Sequence, residues 1–307
     1  MKKLTLLILS GFVCLFISAQ NVELKYKLKA NETYRLKQTR TENSTRTIQG
    51  MAQNTESVTS SVFSIKPLTL NDEFFIASVK FDTMVISNSM PPMKIESANE
   101  GDLSSPDPVT ALTAIIHRLC NTEFIVKLDY TGKVLEIVNY DAASKNILQG
   151  VDQIEGQAKM MVEMQANMLT SKEMISGMVE STMNILPGAK VKKGDSWKTD
   201  INFSAGGIEM NITTDFNLTS IEGKKASFEG KSVIMPASDE PVNMNGAMIT
   251  SQLQGMGKVN FVVDSETGFI ISGTTKTQVS GNMIVTAQGN TMEIPVESIA
   301  ESTVTAL

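Results

Sequence analysis

From Val22 to Lys29 the chain alternates without a break, with Val22, Leu24, Tyr26 and Leu28 on one side and Glu23, Lys25, Lys27 and Lys29 on the other. A period of two with one apolar and one charged row predicts a strand with one buried and one wet face. Ala30-Asn31-Glu32 turns the chain, and a second strand starts at Tyr34 and Leu36. It continues through QTRTENSTRTIQ and, after Gly50, through ESVTSSVFSIK. These stretches are rich in β-branched threonine, which suits a pleated strand, and poor in large apolar groups. They predict a long polar hairpin, either exposed or lining a cavity. Phe74 to Ile86 (FFIASVKFDTMVI) is a more apolar strand.

Residues 87–107, with three prolines and many small polar residues, predict a loop. PVTALTAIIHRL, from Pro108 to Leu119, has proline in its first turn and apolar residues at helical spacing. The one other helical pattern covers Asp141 to Leu186. Its apolar positions fall at Val151, Ile154, Ala158, Met161, Met164/Gln165 and Met168, then Ile175, Val179, Met183 and Leu186. Thr170-Ser171-Lys172-Glu173 resembles a capping box, so the helix is expected to break and restart there. Pro187-Gly188 ends it. Residues 237–257 are rich in Met, Asn and Gly, carry no clear period and predict a loop.

One phrase occurs twice. KLDYTGKVLEI (127–137) and VVDSETGFIIS (262–272) each run apolar, Asp, polar, Gly, apolar. Aspartate at the start of a tight turn and glycine where φ is positive give a hairpin. The strand openers Asn31-Glu32-Thr33-Tyr34 and Gly194-Asp195-Ser196-Trp197 add to the parallel between halves. The recurrence predicts an internal duplication of a strand-turn-strand unit.

Composition narrows the chemistry. Lys2 and Lys3, the apolar run Leu4 to Ile17 and Ile17-Ser18-Ala19 have the layout of a cleaved export signal. Phe12 and Val13 before Cys14 do not suit a lipid-attachment site. After cleavage, 25 of the 27 basic residues remain against 33 acidic ones, a formal charge of −8 with no basic cluster, so no nucleic-acid footprint is expected. Cys120 then stands alone and no intramolecular disulfide can form. His117 is the single histidine, in an apolar helical context. A histidine-based zinc site is excluded by count, and no nucleophile elbow or phosphate loop is present. No catalytic residue, metal site or cofactor is therefore expected. An outer-membrane barrel is disfavoured by few aromatics and polar residues on both faces of several strands.

Methionine, at 19 residues, is the one excess. It packs irregular cores, forms pliable binding faces, or offers thioethers to soft metals, and Met161, Met164 and Met168 fall on one helical face. As candidate lining of an apolar ligand site we take Met161, Met164, Met168, Met178, Phe203 and Phe261.

With the Gly194-Asp195-Ser196-Trp197 opener, the two Asp/Gly hairpins and the helical insert, the chain resembles an uncharacterised family of exported Gram-negative proteins that carry a domain of unknown function. The layout is also similar to the lipoprotein-carrier half-barrels, in which a curved antiparallel sheet holds helices in its concavity. That resemblance implies shelter for acyl chains and brings no catalytic residues with it.

The expected architecture is α+β: a large, curved, mainly antiparallel sheet, a half-barrel built from two related halves, with the methionine-rich helices on its concave face. The expected organisation is a signal peptide at 1–19, an N-terminal β half with one short helix at 20–140, a helical insert at 141–187 and a C-terminal β half at 188–307. Both halves form one continuous domain. The expected function is non-catalytic binding of an apolar or amphiphilic, lipid-like ligand between sheet and helices, in the periplasm or outside the cell, without lipidation. A pocket of several hundred cubic ångströms lined by Met, Phe and Val would accompany it. The alternative is an envelope structural or protein-interaction module with a filled core. An enzyme is the third reading. No transmembrane span is expected in the mature chain.

Overall fold

The two Asp/Gly phrases occupy matching places in the fold. The computed structural model describes residues 21–307 apart from 91, 156–157, 206–207 and 245. The expected leader, with Cys14, lies outside these residues. The first half contains β1 (Val22–Leu24), β2 (Tyr34–Ile48), β3 (Met51–Leu70), β4 (Phe74–Ser89), β5 (Pro92–Glu96), α1 (Pro108–Cys120), β6 (Glu123–Asp129) and β7 (Val134–Ile137). Then follow α2 (Tyr140–Leu148), a 3-10 turn (Val151–Gln153), α3 (Ala158–Thr170) and α4 (Lys172–Met183). The second half contains β8 (Ala189–Val191), β9 (Ser196–Ala205), β10 (Ile208–Glu222), β11 (Lys225–Pro236), β12 (Val242–Met244), β13 (Ala247–Ser251), β14 (Gln254–Asp264), β15 (Ile270–Ala287) and β16 (Asn290–Ala306).

The main sheet runs β7-β6-β4-β3-β2-β16-β15-β14-β11-β10-β9, with every neighbour antiparallel. The five strands β7-β6-β4-β3-β2 correspond in order and direction to β15-β14-β11-β10-β9, and β16 is inserted between the sets. β1 and β8, which open the two halves, pair with each other. This is the arrangement a duplication produces.

Each Asp/Gly turn is built by the same local chemistry. Asp129 Oδ1 accepts from the Thr131 and Lys133 amides at 2.9 and 3.0 Å, and Asp264 Oδ1 accepts from the Glu266 and Thr267 amides at 3.0 and 2.8 Å. Gly132 and Gly268 take φ of +96° and +73°. The two turns also share a neighbour. The Tyr26 amide donates to Tyr130 O and the Lys27 amide to Thr267 O, so the N-terminal segment runs from one turn to the other. For this reason the alternating stretch expected as one strand to Lys29 pairs as a ladder only as far as Leu24.

Eleven strands laid flat at about 4.8 Å spacing would span roughly 48 Å. The two edge strands nevertheless meet one helix, α4, which is about 18 Å long and packs against both β7 and β9. The sheet therefore curves, and α4 occupies the place after β7 that β16 occupies after β15. Inward-facing residues in register, such as Phe75/Leu128, Phe63/Phe81 and Phe228/Phe261, form one core with Ile115, Ile147, Val162, Ile175 and Met183 of the four helices. The helices thus fill the concave side.

The local signals resolve as physical chemistry requires. Asp107 caps α1, accepting from the Thr110 amide at 3.0 Å, with Pro108 at the first position. Ser171 accepts from the Met174 amide at 3.1 Å and separates α3 from α4 within the expected stretch, one residue after the Thr170 that a Thr-x-x-Glu box would make the cap. The long polar hairpin is not a protrusion. Its first strand pairs with β16, so β2 and β3 lie mid-sheet. Residues 237–257, expected as a loop, form β12, β13 and the start of β14.

Candidate functional site

The seam closed by α4 is held by side chains that satisfy bare strand edges. The Val134 amide on β7 donates to Glu180 Oε1 at 2.8 Å. On the other side, Asn184 Nδ2 donates to Asp200 O on β9 at 3.1 Å, and Trp197 Nε1 donates to Ile185 O at 3.0 Å. Gly177 lets α4 approach β9 closely: a Cβ there would lie 3.1 Å from the Phe203 ring. Trp197 continues into an aromatic stack with Phe216 (5.5 Å between centroids), Phe228 and Phe261.

Burial raises the carboxyl of Glu180 above its ordinary value of 4.5, the Val134 amide and the Lys133 charge oppose the rise, and Asp129 adds to it. A raised carboxylate pKa means the ionised form is disfavoured by folding. The penalty is absent below the unfolded pKa and complete once pH exceeds the folded pKa. Glu180→Gln keeps an acceptor for Val134 without the charge. Its stability relative to the parent is expected to be highest at pH 8 and to fall as pH is lowered toward 4. Urea unfolding at several pH values reads this, and a gap that does not change with pH would refute it.

The predicted lining residues are not brought together. Phe261 is buried in the aromatic stack, Phe203 faces Gly177, and Met178 packs partly buried on the core. On α3 the buried face is Val162, Ala166 and Thr170, so the expected stripe is displaced by about one residue. Met161 and Met164 lie on the outer side, 42% and 36% exposed, with Met168 at the boundary. An offset of one position is about 100° around a helix, and methionine, unlike valine, tolerates either side of it. The seam of helix against sheet is occupied by Val162, Ile175, Val179 and Met183, all buried.

Two clefts stand out, and polar side chains outnumber apolar ones around both. One, of about 500 Å³, includes Ser44, Thr45, Thr55, Glu56, Glu297 and Ser298. Close by, burial works to raise the Glu42 carboxyl. The Arg40 charge, the Ser298 hydroxyl (2.7 Å) and Arg46 outweigh it and hold the group below the usual range. The other, of about 610 Å³, includes Asp102, His117 and Arg118. Its polar groups are already used: His117 Nδ1 lies 2.8 Å from Ser97 O and Nε2 3.0 Å from Asn121 Nδ2, while Arg118 donates to the Ile147 and Gln149 carbonyls that end α2. Neither is the apolar pocket expected. Among the described residues no group of three or more His, Cys, Asp or Glu converges, and no helix is long and apolar enough to cross a membrane.

A different apolar surface was missed by sequence reasoning. Ile208, Met210 and Ile234 are buried in a second cluster, separate from the core, with Ile212, Ile249, Leu253, Val279 and Met283 partly buried around them. Ile212/Ile234 and Met210/Pro236 are cross-strand pairs, so this is the inner face of the second half, beyond the Trp197–Phe261 stack. Helix packing runs over β4, β5, β6, β7 and β9. Its signal was present in the alternation of IEMNI and SVIMP, but the partners of these strands lie far away in sequence.

No curated protein matches the chain. Among solved structures, lipovitellin is similar over 91% of this chain and 25% of its own, at 11% identity and TM-score 0.43. An outer membrane channel from Pseudomonas putida F1 is similar over 92% of this chain and 97% of its own, at 7% identity and TM-score 0.22. OccK5 of Pseudomonas aeruginosa is similar over 91% and 99%, at 8% identity and TM-score 0.23. This chain spans about a quarter of the lipovitellin chain. None of the three is a lipoprotein carrier, and at these scores none carries an argument about function. A family model covers residues 72–270, about two thirds of the sequence, and the chain belongs to the family of unknown function DUF6263.

Proposed function

We propose that the protein is an exported, non-catalytic binder of an amphiphilic, lipid-like molecule, held on the inner face of the half-barrel beyond the helices. The observation that carries this reading is the second apolar cluster. Ile212, Ile249, Leu253, Val279 and Met283 pack against it yet stay only partly buried, and partly uncovered apolar surface in a concavity is what an apolar chain occupies. The inner face of β2 and β16 supplies the other requirement. Glu42 with Arg40 and Ser298 makes a polar wall for a head group. The candidate site thus moves from the helix–sheet seam, which is packed, to the open end of the same concavity.

Native mass spectrometry of the purified protein is expected to show bound lipid. After delipidation, a long-chain fatty acid at 100 times its dissociation constant should stabilise the fold by about 2.7 kcal/mol, a rise of several degrees in Tm. Met283→Gln and Ile212→Asp should remove the shift. Absence of both co-purified lipid and thermal shift would overturn the proposal, and the seam's full packing would then favour a protein-interaction module.

A further inference from the structure

Charge is distributed along the strands in a way that neither core packing nor the inner wall requires. The hairpin ends remote from the Asp/Gly turns come from six stretches without an ionisable side chain: 47–55, 83–93, 201–208, 232–238, 241–257 and 277–292. Register places their described residues at one end of the sheet. Ile48 faces Met51, Ala287 faces Asn290, Met248 faces Thr286, Met210 faces Pro236 and Ile208 faces Ala205. The opposite end carries Lys29, Glu32, Asp129, Lys133, Lys192, Asp195, Lys224 and Glu266 around the turns.

The uncharged end is apolar where it meets water. Met51 is 65% exposed, and Met90, Val242, Met248 and Met292 are exposed at or beside the tips. Here β11 is apolar on both faces: Ile234 lies inward, whereas Val233 and Met235 are 52% and 41% exposed outward, with Met256 of β14, 74% exposed, paired to Val233. A strand apolar on both sides belongs to a setting in which both sides are covered. Lower on the same outer face the sheet is charged and ion-paired, with Arg35–Asp82, Lys198–Asp215 and Lys276–Glu301.

We propose that this rim is a membrane-contact surface that rests in the interface of an uncharged, zwitterionic lipid bilayer. A protein partner does not require charge to be absent from six separate segments, since its own charges can pair with them. Hydrocarbon does require it, because an ionised group there has no partner. The charges that border the rim decide the lipid class. Glu209, Asp239, Glu240 and Glu293 border it together with Arg46 and Lys94, so the border is net acidic and an anionic surface gains no attraction. The ion-paired outer face below limits contact to the rim. The inference stands whether or not the inner wall holds a ligand.

The test is flotation of the full chain with phosphatidylcholine vesicles. The wild type is expected to float, with the bound fraction unchanged from low to high salt. Replacing part of the lipid by phosphatidylglycerol should weaken binding at low salt. Met51→Lys combined with Met292→Lys should reduce the bound fraction about tenfold. Leu70→Lys, exposed at the opposite end, should leave it unchanged. All three positions are at the surface, and matching melting curves show that the variants are folded. No flotation, flotation that needs phosphatidylglycerol, or indifference to the tip lysines would overturn the proposal. So would a dimer that the tip lysines dissociate while vesicles remain unbound, which would assign the rim to a second copy. A failed fatty-acid shift with intact flotation would remove the ligand and leave the membrane contact.

Discussion

Gly132→Ala is expected to destabilise the fold by about 4 kcal/mol or more, and Gly268→Ala by a similar amount. Two costs combine. Each glycine has positive φ, where a Cβ adds about 1–2 kcal/mol. Each also touches backbone that has nowhere to move: the added carbon would lie 2.0 Å from Met183 O at position 132, and 2.4 Å from Lys25 O at position 268. Gly194 and Gly223 separate the two costs. They have φ of +93° and +59° with no atom within 4 Å of the built carbon. Alanine there should cost only the backbone part, about 1–2 kcal/mol. Urea midpoints of the four variants test this, and equal losses at all four would show that the close contacts with Met183 O and Lys25 O contribute nothing.

Tyr26→Ala is the second large effect, expected at about 3–5 kcal/mol as for other buried aromatic truncations. Tyr26 is wholly buried, its ring packs 6.5 Å from Phe75 and its hydroxyl donates to Met183 O at 2.9 Å. Burial pushes the phenol well above its usual range. Tyr26→Phe should cost only about 1 kcal/mol, because Met183 O still accepts from the Ile185 amide at 2.9 Å. Chemical denaturation of both variants distinguishes cavity from hydrogen bond, and equal losses would assign the effect to the hydroxyl.

These effects centre on features that were legible before any coordinates. An Asp side chain that binds its own turn and a glycine at positive φ are local devices, so the twin phrases announced the duplication directly. Pro108 at the start of α1 and the break within 170–173 were visible for the same reason. What depends on distant partners was not. β2 becomes central only because β16, some 250 residues later, pairs with it. Residues 247–251 become a strand only because 283–286 lie beside them. Within α3 the stripe of Val162 and Ala166 competed with Met161, Met164 and Met168 at the same spacing, and periodicity alone does not choose between adjacent faces. The inner apolar wall was hidden likewise, since its members are assembled from β10, β11, β13 and β15.

The junctions between the halves are unequal. On one side β16 joins β2 through a ladder of eleven residue pairs. On the other, α4 bridges β7 and β9 by the side chains of Glu180 and Asn184 and by the Trp197 indole. A shell stitched so differently along its two margins has a preferred line of parting. Parting beside α4 breaks side-chain hydrogen bonds, whereas parting between β2 and β16 breaks a backbone ladder.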